Sequence, residues 1–173
     1  LVLGRLVKVK GIDLAIRAVA ASGAQVQLAI VGSGPEAESL GELTARLDLS
    51  SRVHFHPATD KPEAWYGMAD AFLMTSTYEP FGQTILEAMA SGLPVIGFRA
   101  DGSTVVTATD EIVEDVVNGY LADYGVESLV EAIDRCRRAP SSVRDEMSRR
   151  NRETAQSLFA WPRLCDTLLE VAQ

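Results

Sequence analysis

Two glutamates, Glu79 and Glu87, stand eight residues apart in the segment Ser76-Thr77-Tyr78-Glu79-Pro80-Phe81-Gly82-Gln83-Thr84-Ile85-Leu86-Glu87. A strand running into Glu79, a Pro-Phe-Gly turn and a helix opening near Gly82 would leave the N–H groups of Gly82, Gln83 and Thr84 without intrahelical partners. Such groups bind anions. Glu87 then falls between one and two turns into the helix, on a different face from Ile85 and Leu86. There its carboxylate can accept hydrogen bonds from vicinal hydroxyls. A plainer arrangement, with Glu79 capping the helix and Glu87 on its solvent side, uses the same residues. Residue chemistry by itself does not choose between the two.

Other chemistry-bearing residues precede this segment. Arg5, Lys8 and Lys10 place three positive charges within six residues of a chain whose net charge is −8. Gly4-Arg5-Leu6 ends a first strand and Lys10-Gly11 precedes a first helix. A flexible loop of this kind suits an anionic diphosphate, through charge-assisted bonds from guanidinium and ammonium, although a solvated basic loop has the same composition. Val31-Gly32-Ser33-Gly34-Pro35-Glu36-Ala37 matches the G-x-G-x-x-A dinucleotide fingerprint. It follows the second strand, no acidic residue closes the next strand, and Glu36 and Glu38 put negative charge where a pyrophosphate would sit. A tight turn bordering a cleft is therefore expected in preference to an NAD site. His54 and His56 share a strand face, but no carboxylate or cysteine stands near them at ligand spacing, so no metal site is expected. Trp65 and Trp161 are assigned to packing, whereas Tyr78 stays open as a stacking platform. Cys136 follows Leu129 and Ile133 at helical spacing, which makes it a reduced core thiol, and it forms no C-x-x-C pair with Cys165.

The elements that must position these residues alternate along the chain. Apolar runs at 26–31, 53–55, 71–74 and 94–98 suit strands covered on both faces. Ile12, Ala15, Ile16 and Val19 mark one helical face, and Ile85, Leu86 and Met89 another. Further helices are expected near 35–47, 62–68, 126–138, 142–157 and 162–172, and the least regular stretch runs from Ala100 to Asp110. This alternation predicts a parallel sheet with helices on both faces, whose ligands bind in loops at the strand carboxyl ends. At 173 residues and 47% apolar content the chain is one domain with a full core. No apolar run is long enough for a membrane-spanning helix. The acidic balance argues against nucleic acid or an anionic membrane as main partner. The opening Leu1-Val2-Leu3-Gly4-Arg5 lacks a leader's composition and suits the tail of a strand inside a larger protein. A reducing, cytoplasmic setting fits the cysteine usage.

The block Glu79-Pro80-Phe81-Gly82 through Glu87-Ala88-Met89-Ala90, closing on Gly92-Leu93-Pro94-Val95, resembles the signature of the retaining GT-B glycosyltransferases of family 4, relatives of bacterial glycogen synthases. The Gly4-Arg5-Leu6…Lys10-Gly11 opening and the Val31-Gly32-Ser33-Gly34-Pro35 turn stand at that family's order and spacing, so the resemblance covers nearly the whole chain. It implies a Rossmann-like α/β domain over 1–173, the C-terminal, donor-binding half of a GT-B enzyme whose N-terminal domain binds acceptor. Arg5 and Lys10 would hold the donor diphosphate, Glu79 would lie beside the donor sugar, and Glu87 would hold the ribose hydroxyls. Gly4, Gly34, Phe81, Gly82, Gln83 and Thr84 would complete the donor site. The implied substrate is a UDP-, GDP- or ADP-sugar, with no metal, and the acceptor is a carbohydrate, lipid-linked or small molecule. The implied activity is hexosyl transfer with retention, in an enzyme that is cytoplasmic or peripheral to the inner face of a membrane. A non-catalytic nucleotide-sugar-binding module and a dinucleotide oxidoreductase are the rival readings. The chain departs from the pattern at Asp101-Gly102-Ser103, where the family commonly has a Gly-Gly pair, in the late arrival of Glu111-Ile112-Val113, and at His56-Pro57. The 100–110 loop is expected to border the donor sugar.

Overall fold

The structure, a computed structural model, describes residues 1–159. The helix expected at 162–172, Trp161 and Cys165 lie outside the described residues. Strands β1 (Val2–Leu3), β2 (Leu28–Val31) and β3 (Val53–His56) form one parallel sheet, in the order β1-β2-β3. Strands β4 (Phe72–Met74), β6 (Val95–Phe98) and β8 (Gly119–Ala122) form a second, also parallel. The Leu73 N–H donates to the Leu1 carbonyl at 2.8 Å and joins the two along β1 and β4. The combined strand order is β3-β2-β1-β4-β6-β8, with a reversal of direction in the winding between β1 and β4. Two short strands, β5 (Tyr78–Glu79) and β7 (Val106–Thr107), pair separately and in parallel.

The central strands are apolar on both faces because helices cover both. On β4 the Leu73 side chain enters one core cluster while Phe72 and Met74 enter the other. On β6, Ile96 and Phe98 join the first and Val95 the second. Helices α1 (Ile12–Ala21), α2 (Ala37–Arg46) and α6 (Val126–Arg138) supply the first cluster through Ile16, Val19, Leu40, Leu43, Leu129 and Ile133. Helices α3 (Pro62–Met68) and α4 (Gln83–Ala90) supply the second through Tyr66, Ile85 and Met89. Each large side chain buried in this way contributes about 1.5–3 kcal/mol. A single helical turn, α5 (Thr109–Ile112), follows β7, and α7 (Ser141–Phe159) packs along α4. The buried Asn151 of α7 donates to the Leu93 and Asn118 carbonyls at 2.8 and 2.9 Å, tying α7 to the ends of two loops.

Helices α3 and α6 occupy the residues predicted for them, and the other elements predicted within the described residues fall within a few residues of their positions. Strand β8 was not anticipated. Gly119-Tyr120-Leu121-Ala122 is buried throughout, with no alternation, no β-branched residue and a glycine at its start. Its partner β6 lies more than twenty residues earlier in sequence and defines it. The sheet order, the parallel pairing and the helices on both faces agree with the predicted Rossmann-like α/β class.

Candidate functional site

In open parallel sheets, ligands bind where the winding reverses, outside the strand carboxyl ends. Here that place is the gap between β1 and β4, and the cleft there is lined by Leu3, Gly4, Arg5, Lys10, Thr75 and Ser76. Two of the predicted positive residues therefore come together with the end of β4.

The β1–α1 loop is held from both sides. The Gly4 and Leu6 N–H groups donate to the Val31 and Ser33 carbonyls at 3.0 Å each, and the Glu36 N–H donates to the Leu6 carbonyl at 3.0 Å. A Cβ on Gly32 would lie 1.8 Å from the Gly4 carbonyl oxygen, and one on Gly34 would lie 2.3 Å from that of Leu6. The two fingerprint glycines thus admit the chain's own backbone, where a dinucleotide site would need the space for pyrophosphate. On the other side, Lys8–Lys10 forms a 3₁₀ turn, closed by Gly11 at φ +57°. A Cβ on Gly11 would lie 2.2 Å from the Thr75 carbonyl oxygen, so only glycine fits. The buried Thr75 hydroxyl donates to the Lys10 carbonyl at 2.9 Å, and the Thr77 N–H donates to the Val9 carbonyl at 2.8 Å. Thr75 was missed in the sequence. The only signal there was a hydroxyl residue closing an apolar strand.

Lys10 and Glu79 form an ion pair through Nζ and Oε2, with each side chain about one-fifth exposed. The other carboxylate oxygen of Glu79 accepts from the Gly82 N–H at 3.3 Å. Glu79 therefore holds the entrance of α4 and also faces the basic loop, so the capping and cleft-facing readings describe one side chain. Gly82, expected to offer a free N–H, has it engaged by Glu79. The N–H groups of Gln83 and Thr84, the first two residues of α4, make no hydrogen bond to any described residue. Gly82 itself is left-handed at φ +70°, and a Cβ there would press on Ile85 at 2.8 Å. Arg5 is exposed and its guanidinium has no partner among the described residues. Phe81 and Tyr78 stand 59% and 57% exposed at the turn, large apolar surfaces beside a polar site.

Glu87 is half-buried, and its Oε2 accepts a 2.8 Å hydrogen bond from the Tyr66 hydroxyl of α3. Burial, and then the bond to Glu87, push the Tyr66 hydroxyl well above its ordinary pKa, so it stays a donor. The 100–110 loop is more ordered than its composition suggested. Asp101 Oδ1 accepts from the N–H groups of Ser103, Thr104 and Val105 at 2.7, 2.7 and 3.0 Å. Those bonds hold its carboxyl down to a pKa of about 2. The loop then pairs Val106 with Tyr78 and Thr107 with Glu79, and the Ala108 N–H donates to the Glu79 carbonyl at 3.1 Å. It is thus fastened beside Glu79.

The remaining singled-out residues lie elsewhere. His54 contacts Gln27 through its Nε2 at 3.1 Å, and His56 packs on Trp65 with ring centroids 4.3 Å apart. Among the described residues no three His, Cys, Asp or Glu side chains gather as a metal site would require. Cys136 is buried on α6, and burial pushes its thiol up to about 11. No helix among the described residues is long and apolar enough to cross a membrane.

This fold is that of half of a GT-B glycosyltransferase, a class built from α/β domains. The chain belongs to the family of glycosyl transferases group 1, whose profile it matches over residues 1–154. It is 32% identical over 170 residues to the lipopolysaccharide core biosynthesis glycosyltransferase LpsE of Rhizobium meliloti (strain 1021), covering 98% of this chain and 48% of that protein. It is also 32% identical to LpsD of the same organism, covering 98% and 47%. The chain thus spans about half the length of these curated relatives. The structure of Anabaena HepE in complex with UDP superposes with a TM-score of 0.87 at 26% identity, covering 99% of this chain and 48% of that one. Sucrose-phosphate synthase from Thermosynechococcus elongatus gives 0.85 at 30% identity, covering 99% and 44%.

Proposed function

We propose that this domain binds a nucleoside diphosphate sugar at the β1/β4 switch point and, together with an acceptor-binding domain, transfers the sugar with retention of anomeric configuration, as family 4 enzymes do. The observation that carries the reading is a cleft lined by Arg5, whose guanidinium has no partner among the described residues, and by Lys10, whose ion pair with Glu79 joins the basic loop to the entrance of α4. Anabaena HepE, structured with UDP and with UDP-glucose, supports a nucleotide-sugar donor.

In this reading the diphosphate lies between the basic loop and the N-terminus of α4. As the glycosidic C–O bond breaks, its electron pair passes to the leaving diphosphate oxygen. Arg5, Lys10 and the backbone N–H groups stabilise the charge that develops there, without reorganising at the moment of reaction. They meet that charge without a metal. An ammonium has three donors, so Lys10 can keep Glu79 and still reach a phosphate oxygen. Glu79, beside the basic loop, orients the donor sugar and stabilises cationic character at its ring. Glu87 accepts from the ribose hydroxyls, Phe81 covers the sugar side of the turn, and Gly4 and Gly34 keep the loop backbone close to the donor. The intact enzyme works on the cytoplasmic side of the membrane.

Titration calorimetry of this chain with UDP, GDP, ADP, UDP-glucose, NAD and NADP tests the proposal. Binding of one nucleoside diphosphate in preference to both dinucleotides, and of UDP-glucose where that diphosphate is UDP, is the expected result. Preference for NAD or NADP, or no binding by any of the six, would overturn it.

A further inference from the structure

Glu87 can hold two vicinal hydroxyls only if its carboxylate is kept in one orientation, because a glutamate on a helix has three rotatable bonds. The structure supplies the constraint from a neighbouring helix. Tyr66 is 2% exposed, and its ring packs against Phe72 with centroids 5.8 Å apart. With the ring fixed in the core, the hydroxyl emerges at the seam between α3 and α4. It donates to Glu87 Oε2 at 2.8 Å and approaches the Thr84 carbonyl at 3.5 Å. Glu87 Oε1 has no hydrogen-bond partner among the described residues. One oxygen is thereby pinned from the inside while the other is left for a ligand. Burial opposes ionisation of Tyr66, so the hydroxyl keeps its proton and donates it to Oε2, supporting the anionic carboxylate and leaving Oε1 for a ligand.

We infer that Tyr66 is the positioning residue that fixes Glu87 and thereby sets the domain's preference for ribose over 2′-deoxyribose in the bound nucleotide. This rests on the reading of Glu87 as the ribose acceptor. A helix clamp would also use a Tyr–Glu hydrogen bond between α3 and α4. The clamp predicts lost stability with unchanged ligand discrimination, and the positioning role predicts lost discrimination.

The test uses whichever of UDP, GDP and ADP binds the wild-type chain most tightly, with its 2′-deoxy counterpart, measured by calorimetry well below the melting temperature. The readout is the ratio of the two dissociation constants. A hydrogen bond to a charged group is worth roughly 10- to 100-fold in affinity, so the wild-type ratio should be about 10 or more. Tyr66→Phe removes only the hydroxyl and should bring the ratio to about 3 or less, Glu87→Ala should bring it to about 1, and the double variant should match Glu87→Ala, all from the same loss of oriented acceptor. A Tyr66→Phe chain that keeps the wild-type ratio while Glu87→Ala abolishes it overturns the inference and leaves the function standing. A ratio near 1 in the wild type, unchanged by Glu87→Ala, removes Glu87 from the ribose and the inference with it. Failure of every diphosphate to bind removes the proposed function itself.

Discussion

Replacing Glu79 with glutamine separates the two tasks that its carboxylate performs. The ion pair with Lys10 is about one-fifth exposed on each side, and the second oxygen receives the Gly82 N–H at 3.3 Å. At an effective dielectric of about 20 the gross attraction of a contact pair is roughly 4 kcal/mol, most of it offset by desolvation and lost side-chain freedom. A net of about 1 kcal/mol remains for a pair this accessible. Glutamine still accepts from Gly82, so the weakened cap adds about 0.5 kcal/mol. The variant should therefore lose roughly 1–2 kcal/mol, and its melting temperature should fall by about 2–8 °C. Lys10, released from its carboxylate, becomes fully available to phosphate. Diphosphate affinity should be unchanged or up to about fivefold tighter, the equivalent of about 1 kcal/mol. If Glu79 lies beside the donor sugar as proposed, kcat of the intact enzyme should fall, because such a charge acts mainly in the transition state. Calorimetry, a melting curve and turnover on one preparation give all three numbers. A diphosphate affinity more than about tenfold weaker would refute the expectation that Lys10 reaches phosphate without Glu79 to hold it. A lowered melting temperature with full turnover would make Glu79 a cap alone.

Further outcomes follow from other residues. Glu87→Ala should weaken nucleoside diphosphate binding by about 1–3 kcal/mol in a folded chain, which calorimetry checks directly. Arg5→Ala strands no partner among the described residues, so it should weaken UDP, or the diphosphate that binds, at least about fivefold and leave the bare nucleoside untouched. Added salt should narrow that difference, because Arg5 is exposed. Asp101→Asn should lower the melting temperature at neutral pH. The folded carboxyl sits at about 2 against an ordinary 3.8, so its stabilisation is present above 3.8 and is lost as pH falls towards 2. Melting curves of both proteins should therefore draw together as pH falls from about 4 and converge only below about pH 2. If side chains and a helix terminus meet the diphosphate charge as proposed, EDTA should leave diphosphate affinity unchanged.

The sequence was most informative where structure is local. Pro62 at the first turn of α3, and the periodic Leu129, Ile133 and Cys136 of α6, state their helices within a few residues. The paired glutamates and the basic loop were visible as residue types at given spacings. Their relation was not. Lys10 and Glu79 meet across 69 positions, and Tyr66 reaches Glu87 across 21. No periodicity encodes such distances, since they are set by the sheet order. Gly82 was expected to offer its N–H to a ligand, but the Glu79 side chain three residues earlier occupies it, as the capping alternative had it. The glycines of Gly32-Ser33-Gly34 carried a true signal of close backbone approach, but the approaching backbone is the loop at Gly4–Leu6. Strands β5 and β7 are two residues long and exist only as partners of each other, so the ordered course of the 100–110 loop beside Glu79 had no local signature.

The central claim is that a nucleoside diphosphate occupies the β1/β4 switch point, with its phosphates on the basic loop and the start of α4. A crystal structure of this chain grown with the diphosphate that binds most tightly tests it most directly. Phosphate oxygens within hydrogen-bonding distance of the Thr84 N–H and the Arg5 guanidinium, with the ribose on Glu87, are the predicted result. A ligand seated instead on the Gly32–Gly34 turn, with Arg5 and α4 untouched, would contradict it.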